Sequence, residues 1–236
     1  MTTSQLVSRV KALLAYDLDG YFGAAPSDTD VVACLNDALY ELGEDAFVYD
    51  PSVVLTMAAD TASYDLRGTA CSRKVLQAFS VTINGVPLWD ASRRRPGMWS
   101  IDELGMGFPQ WRSHASGTPS RAAQYGTTLV LDPPPSASVA ALSATIAAQV
   151  LPAALSAASP STEPQLPVEL HEALALMAAA KAADPNVTES HQDSRVARMY
   201  QAAKAKAQTY GRRSRNSIGG GSTWALGWRG DDVIEL

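Results

Sequence analysis

The chain has 236 residues, enough for one ordinary domain or two small ones and too few for a large multidomain enzyme. Apolar residues make up 46% and charged residues 18%, a mixture that fills a core and stays in solution, which excludes wholesale disorder. The net charge of −5 conceals a division, because residues 1 to 70 hold eleven acids against three basic residues, whereas Arg195 to Arg229 holds eight basic residues and no acid.

The first element is a predicted helix, with Leu6, Val10, Leu13 and Leu14 spaced to fall on one face. The stretch Asp17 to Gly23, with two glycines and Pro26 after it, breaks the pattern. A second helix starts at Ser27 or Asp28, where Ser27 and Asp30 give a capping signal, and runs to about Phe47 with Val31, Val32, Leu35, Ala38, Leu39 and Leu42 inward. From Asp50 the character changes to strand: Ser52 to Met57, Ser63 to Leu66 and Val75 to Ile83. Asn84-Gly85 predicts a hairpin, since a two-residue I′ turn needs two positive φ angles. Residues 91 to 120 read as a loop rich in Arg, Gly and Trp. Thr127 to Leu131 is a further strand, stopped by Pro133, Pro134 and Pro135, and Val139 to Gln149 is the last.

Helix returns near Pro167, with Leu170, Leu174 and Met177 on its face, and stops at Asp184-Pro185. The final helix begins near Thr188 or Ser190, carries Val196, Met199, Ala203, Ala207 and Tyr210, and is expected to end at Gly211. The tail from 212 holds a basic stretch, three consecutive glycines, two tryptophans and an acidic finish. The expected class is α+β. Helices at 1–49 and 159–211 pair as a bundle, an antiparallel β module at 50–158 is inserted between them, and an extended C-terminal arm covers 212–236.

Signatures of chemistry are sparse. His171-Glu172 opens like HExxH, but Ala175 stands where the second imidazole belongs, so zinc is not held that way and His171 reads as a helix-surface residue. The other histidines, His114 and His191, lie in different segments. Neither Cys34 nor Cys71 belongs to a CxxC, which argues against a disulfide framework or a cysteine zinc site; Cys34 fits a helix core. Asp17, Asp19, Asp28 and Asp30 suit turns and helix caps better than a metal site. Gly105-Met106-Gly107 is a loop signal, and the Asn186 sequon is uninformative without secretion. No catalytic residue, metal or cofactor is expected.

The longest apolar stretches are too short or too polar for a membrane, which needs about 20 apolar residues. The N-terminus lacks a basic region followed by an apolar block, so no secretory leader and folding in a cytoplasm are expected. Two features invite a partner. Arg93, Arg94 and Arg95 lie between Trp89 and Trp99, a composition suited to phosphate and base stacking, or to a solvated loop with anchored indoles. In the tail, Trp224, Leu226 and Trp228 stand in a glycine-hinged polar arm with no core of its own, the pattern of a segment that orders on a partner.

The succession of features resembles the head-to-tail adaptor (connector) proteins of tailed bacteriophages. The resemblance lies in the acidic helix Val31 to Leu42, the extended Ala62 to Leu66, the strand and proline run Tyr125 to Pro135, and Leu166 to Leu174 opening an Ala-rich helix. It implies a structural part without turnover: a ring, commonly a dodecamer, beneath the portal in the virion neck. The ring would extend the channel through which DNA is ejected without sequence-specific binding, and dock the next neck or tail protein. It also implies a portal-binding arm, for which Arg212, Arg213, Arg215, Trp224, Leu226, Trp228 and Arg229 are the candidates. Arg93, Arg94, Arg95 and Trp99 are candidates for a partner or DNA contact. Two other readings stay open: a nucleic-acid-binding accessory protein of phage assembly or packaging, and a hydrolase with an unrecognised site.

Overall fold

A computed structural model describes residues 1–17, 26–90, 95–96, 98–184 and 195–219. In chain order the first elements are α1 (Thr3–Asp17), α2 (Asp28–Ala46), β1 (Tyr49–Leu55), β2 (Ser63–Asp65), β3 (Val75–Ile83), β4 (Val86–Pro87), β5 (Trp89–Asp90) and β6 (Arg95–Pro96). There follow β7 (Trp99–Ser100), α3 (Ile101–Gly107), β8 (Arg121–Tyr125), β9 (Thr128–Asp132), α4 (Ala137–Ala140), β10 (Ala144–Val150), α5 (His171–Ala183) and α6 (Arg195–Gly219). The fold is mixed α+β. It divides into two compact units, one from the two ends of the chain, up to Val48 and from Pro152 onward, and the other Tyr49–Leu151.

The helical unit has one core, to which α1, α2, α5 and α6 all contribute. Helix α5 is buried almost all round, because alanine at Ala173, Ala175, Ala178, Ala179 and Ala180 leaves room for neighbouring helices to approach. Ser27 caps α2 by accepting from the Asp30 N–H, and Phe47 closes it in the left-handed region at φ 54°. Residues 152–158 pack with the helices, not with the strands as the sequence suggests. Asn36 holds them: its Oδ1 accepts from the Leu155 N–H at 2.7 Å and its Nδ2 donates to the Leu155 carbonyl at 3.0 Å. The carbonyls of Thr162 and Pro160 accept from the N–H groups of Thr3 and Ser4, the orphan donors at the start of α1.

In the strand unit, one sheet has the order β1-β10-β3-β4 and a second β2-β9-β8-β7, while β5 and β6 form a separate pair. The β3–β4 turn has Asn84 at φ 49° and Gly85 at φ 77°, the geometry expected of Asn-Gly. Register shifts in the β3–β10 pairing fall at Ala147/Ala148 and Gln149/Val150. Gln124 of β8 serves that irregular stretch, accepting from the Ala78 N–H at 2.7 Å and donating to the Leu76 carbonyl at 3.1 Å.

Three sequence expectations are corrected here. The β module is not wholly antiparallel, because β7 pairs parallel with β8; the intervening chain, including α3, makes the crossover that a parallel pair requires. The 91–120 stretch is not simply loop. Ser100 and Glu103 form a reciprocal capping box that starts α3, and Trp111 to Ser113 form a 3₁₀ turn. The last strand starts at Ala144, not Val139, since residues 137–140 turn into the short α4, with Val139 buried.

Candidate functional site

Helix α6 places three of the residues with a partner-binding signature, Arg212, Arg213 and Arg215. Its inward face is Ala197, Met199, Tyr200, Ala203, Ala207 and Gly211, all buried. The helix does not end at Gly211, the expected stop, but continues to Gly219. The reason is packing. A Cβ built on Gly211 would lie 2.0 Å from the carbonyl oxygen of Asp45, so this glycine permits close approach of α6 to the end of α2 instead of terminating a helix. One turn on, the Arg215 guanidinium stands 5.3 Å from the Phe47 ring centroid.

Consequently Arg212, Arg213 and Arg215 are exposed helix residues and not the start of an extended arm. Together with Arg198 and Lys206 they give α6 a basic outer side, with small exposed Ala202 and Ala205 between. An open groove of about 700 Å³ runs beside it, lined by Glu169 and Leu170 at the approach to α5 and by Lys206, Thr209, Tyr210 and Arg213 of α6.

The inner side of α6 is fixed by charge as well as by packing. Glu41 of α2 accepts from the Tyr200 hydroxyl and pairs with Lys181 at 2.9 Å and Lys204 at 3.7 Å. Burial alone would raise the Glu41 carboxyl, but the Tyr200 hydrogen bond and the two ammonium groups hold it below the usual carboxylate range. Lys204 is thereby committed to the interior, whereas Lys206 is exposed.

His171 is buried, 2% exposed, and is not the surface residue that the sequence suggests. Position one of α5 sits under the chain's start. The His171 Nε2–H donates to the Leu166 carbonyl at 3.1 Å, and Nδ1 accepts from the Met1 ammonium at 2.6 Å. Burial, reinforced by that ammonium, pushes the imidazole below its ordinary value and keeps it neutral.

Trp99 is also interior, packed with Leu104, Trp111, Ala123 and Val130 and edge-on to Phe108 at 5.8 Å. It is an anchor for α3 and not an exposed contact, as strand alternation from the β7–β8 pair turns it inward. The backbone of Arg95 lies opposite that of Asp90 in the small β5–β6 ladder. Arg93, Arg94, Trp224, Leu226, Trp228 and Arg229 lie outside the described residues.

One charged cluster had no sequence signal. Asp132, fully buried at the end of β9, pairs with Arg121 at 2.9 Å and His114 at 2.7 Å, and the Arg121 guanidinium lies 3.6 Å from the Phe108 ring centroid. The cluster ties the 108–121 segment to the sheet. Cys34 and Cys71 are free thiols, and burial raises both above the ordinary thiol value, with Asp37 and Asp30 adding to the rise at Cys34 and Asp65 at Cys71. Among the described residues no three metal-ligating side chains converge, and no helix is long and apolar enough to cross a membrane.

Compared with known protein families, residues 1–223 match the model described as SU10 adaptor protein. No curated protein matches the chain.

Proposed function

The chain belongs to the SU10 adaptor protein family, and from that membership we propose that it is a head-to-tail adaptor that forms a ring beneath the phage portal. It is a phage adaptor-type protein, a viral structural component that assembles with other phage structural proteins. In the proposed role it lies in the neck of the virion, extends the DNA channel without reading sequence, and docks the following neck or tail protein. The observation that carries the reading is the extent of the match, which spans both compact units and not a single helix pair. Twelve copies is the number the resemblance implies.

For the portal contact we propose the segment beyond α6. Trp224, Leu226 and Trp228 lie past the last matched residue, 223, in glycine-flanked chain whose composition suits insertion into another protein. Because α6 runs to Gly219, the arm proper is narrower than residues 212–236. The helical unit contributes its bundle of N- and C-terminal helices as the body from which that arm leaves. Deleting residues 220–236 is expected to leave a folded chain that no longer joins the portal, read by co-sedimentation with portal rings. Undiminished attachment of the truncated chain would refute the arm assignment.

A second reading rests on the basic outer side of α6. A nucleic-acid-binding accessory protein would hold duplex DNA there with an affinity that falls steeply with salt. A low-salt titration without binding eliminates that reading.

A further inference from the structure

Two outer helix faces of the helical unit match each other in length, spacing and charge. On α6 the exposed stripe is Arg198, Ala202, Ala205, Thr209 and Arg212, with steps of four, three, four and three residues. On α2 the outward stripe is Asp30, Ala33, Asp37, Tyr40 and Glu44, with steps of three, four, three and four. Tyr40 is half-buried and the other four are exposed. Each stripe spans about 21 Å at the rise of an α-helix.

From these faces, and resting on the adaptor reading above, we infer that α6 of one copy packs antiparallel against α2 of the next. Over all five positions of each stripe, the antiparallel alignment brings the two step sequences into register, whereas a parallel one matches at most four. It sets Arg198 against Glu44 and Arg212 against Asp30, carboxylates that keep their contacts within their own chain, and places Asp37 opposite Ala205 beside Lys206. It also sets the large Tyr40 against the small Ala202, and Thr209 against Ala33, so side chains interdigitate where the helices cross. Antiparallel packing aligns the helix dipoles favourably as well. The occupant is a second copy because, within one chain, α6 and α2 already meet through their other faces, at Gly211 and Asp45 and through Tyr200 and Glu41. A different patch on each partner makes the contact heterologous, the type that closes rings. Duplex DNA would engage the basic stripe alone and leave the acidic one without a role.

The test is a charge swap in the full chain. Arg198→Glu/Lys206→Glu sets acid against Glu44 and Asp37, and Asp37→Lys/Glu44→Lys sets base against Lys206 and Arg198, while the Arg212–Asp30 pair is left unchanged in both; neither variant touches the Ser27 cap. Sedimentation equilibrium at low ionic strength should show that the wild-type chain self-associates and that each variant alone does so at least about tenfold more weakly. An equimolar mixture of the two should recover association, since acidic α6 then meets basic α2 and the reverse. Circular dichroism checks that each variant keeps its helices, and recovery in the mixture itself excludes misfolding. A wild-type chain that stays monomeric throughout, variants that associate normally, or a mixture without recovery would each overturn the proposal. Normal association together with lost duplex binding by the acidic variant would assign the basic stripe to nucleic acid instead. Portal attachment of the intact chain, measured separately, still tests the adaptor reading when this contact fails.

Discussion

The close approach at Gly211 gives a prediction whose sign runs against helix propensity. In an open helix interior, replacing glycine with alanine stabilises by roughly 0.5–1 kcal/mol, because glycine loses more backbone freedom on folding. At Gly211 the added methyl would meet the Asp45 oxygen at 2.0 Å and two further backbone carbons at 3.1 and 3.3 Å. None of these is the end of a flexible side chain, so α6 and the close of α2 must separate. Overpacking of that kind costs about 1–3 kcal/mol, and the separation also strains the Phe47 turn and the Arg215 contact. Gly211→Ala should therefore lose about 1–2 kcal/mol net. The control is Gly105→Ala in α3, where nothing lies within 4 Å of the added Cβ; it should gain up to about 1 kcal/mol. Urea unfolding followed by far-UV circular dichroism reads the helical unit, and tryptophan fluorescence, with Trp99 and Trp111 buried in the strand unit, reads the other. A Gly211→Ala chain as stable as wild type would refute the packing argument.

Further predictions test the buried polar groups. Asp132→Asn removes the charge that faces Arg121 and His114, and should lower the stability of the strand unit by about 3 kcal/mol, seen as an earlier fluorescence transition in urea; an unchanged midpoint would show the pairs to be unimportant. Asn36→Ala strips both hydrogen bonds from the Leu155 backbone and should cost about 1–3 kcal/mol, with proteolysis between residues 152 and 165 accelerated; equal cleavage rates would contradict it. His171 is held below its ordinary value of 6.5 in the folded chain, so the unfolded chain binds the proton more readily. Stability of the helical unit should thus be full above about pH 6.5 and fall as the pH drops towards the folded value. His171→Gln should flatten the thermal midpoint between pH 7 and pH 5, and an undiminished slope would refute the assignment. Trp99→Ala should destabilise by about 3–5 kcal/mol without changing duplex affinity, whereas a selective loss of DNA binding would reinstate Trp99 as a contact.

Local patterns on the helices and in the hairpin turn were legible because their physics is short-range. The apolar spacing of Val31 to Leu42 needs only the helical period, and Asn84-Gly85 needs only the φ preferences of two residues. The capping box at Ser100 and Glu103 was equally readable, but lay in a stretch whose arginines and glycines dominated the composition. The parallel β7–β8 pair was not readable, since nothing in two residues specifies which strand they meet. Gly211 shows the limit most directly: a glycine after an apolar seam reads as a stop, and only the position of the Asp45 carbonyl makes it a point of contact.

For the interaction surface, composition revealed the charge but not its orientation. Eight basic residues without an acid between Arg195 and Arg229 signal a partner, yet the folded helix sorts them into different roles. Lys204 turns inward to Glu41, Arg215 lies over Phe47, and Arg198, Lys206 and Arg212 stay outside. The same sorting applies to the acids of α2, where Glu41 is committed to the interior and Asp37 to the surface. A net charge summed over a segment cannot separate these cases, because each depends on a rotation of about 100° per residue around a helix axis. Once that rotation is fixed by the apolar seam, the outward charges of α2 are acidic and those of α6 are basic. Opposite signs on the two outward faces, with the small residues Ala33, Ala202 and Ala205 among the charges, favour another helix as the partner.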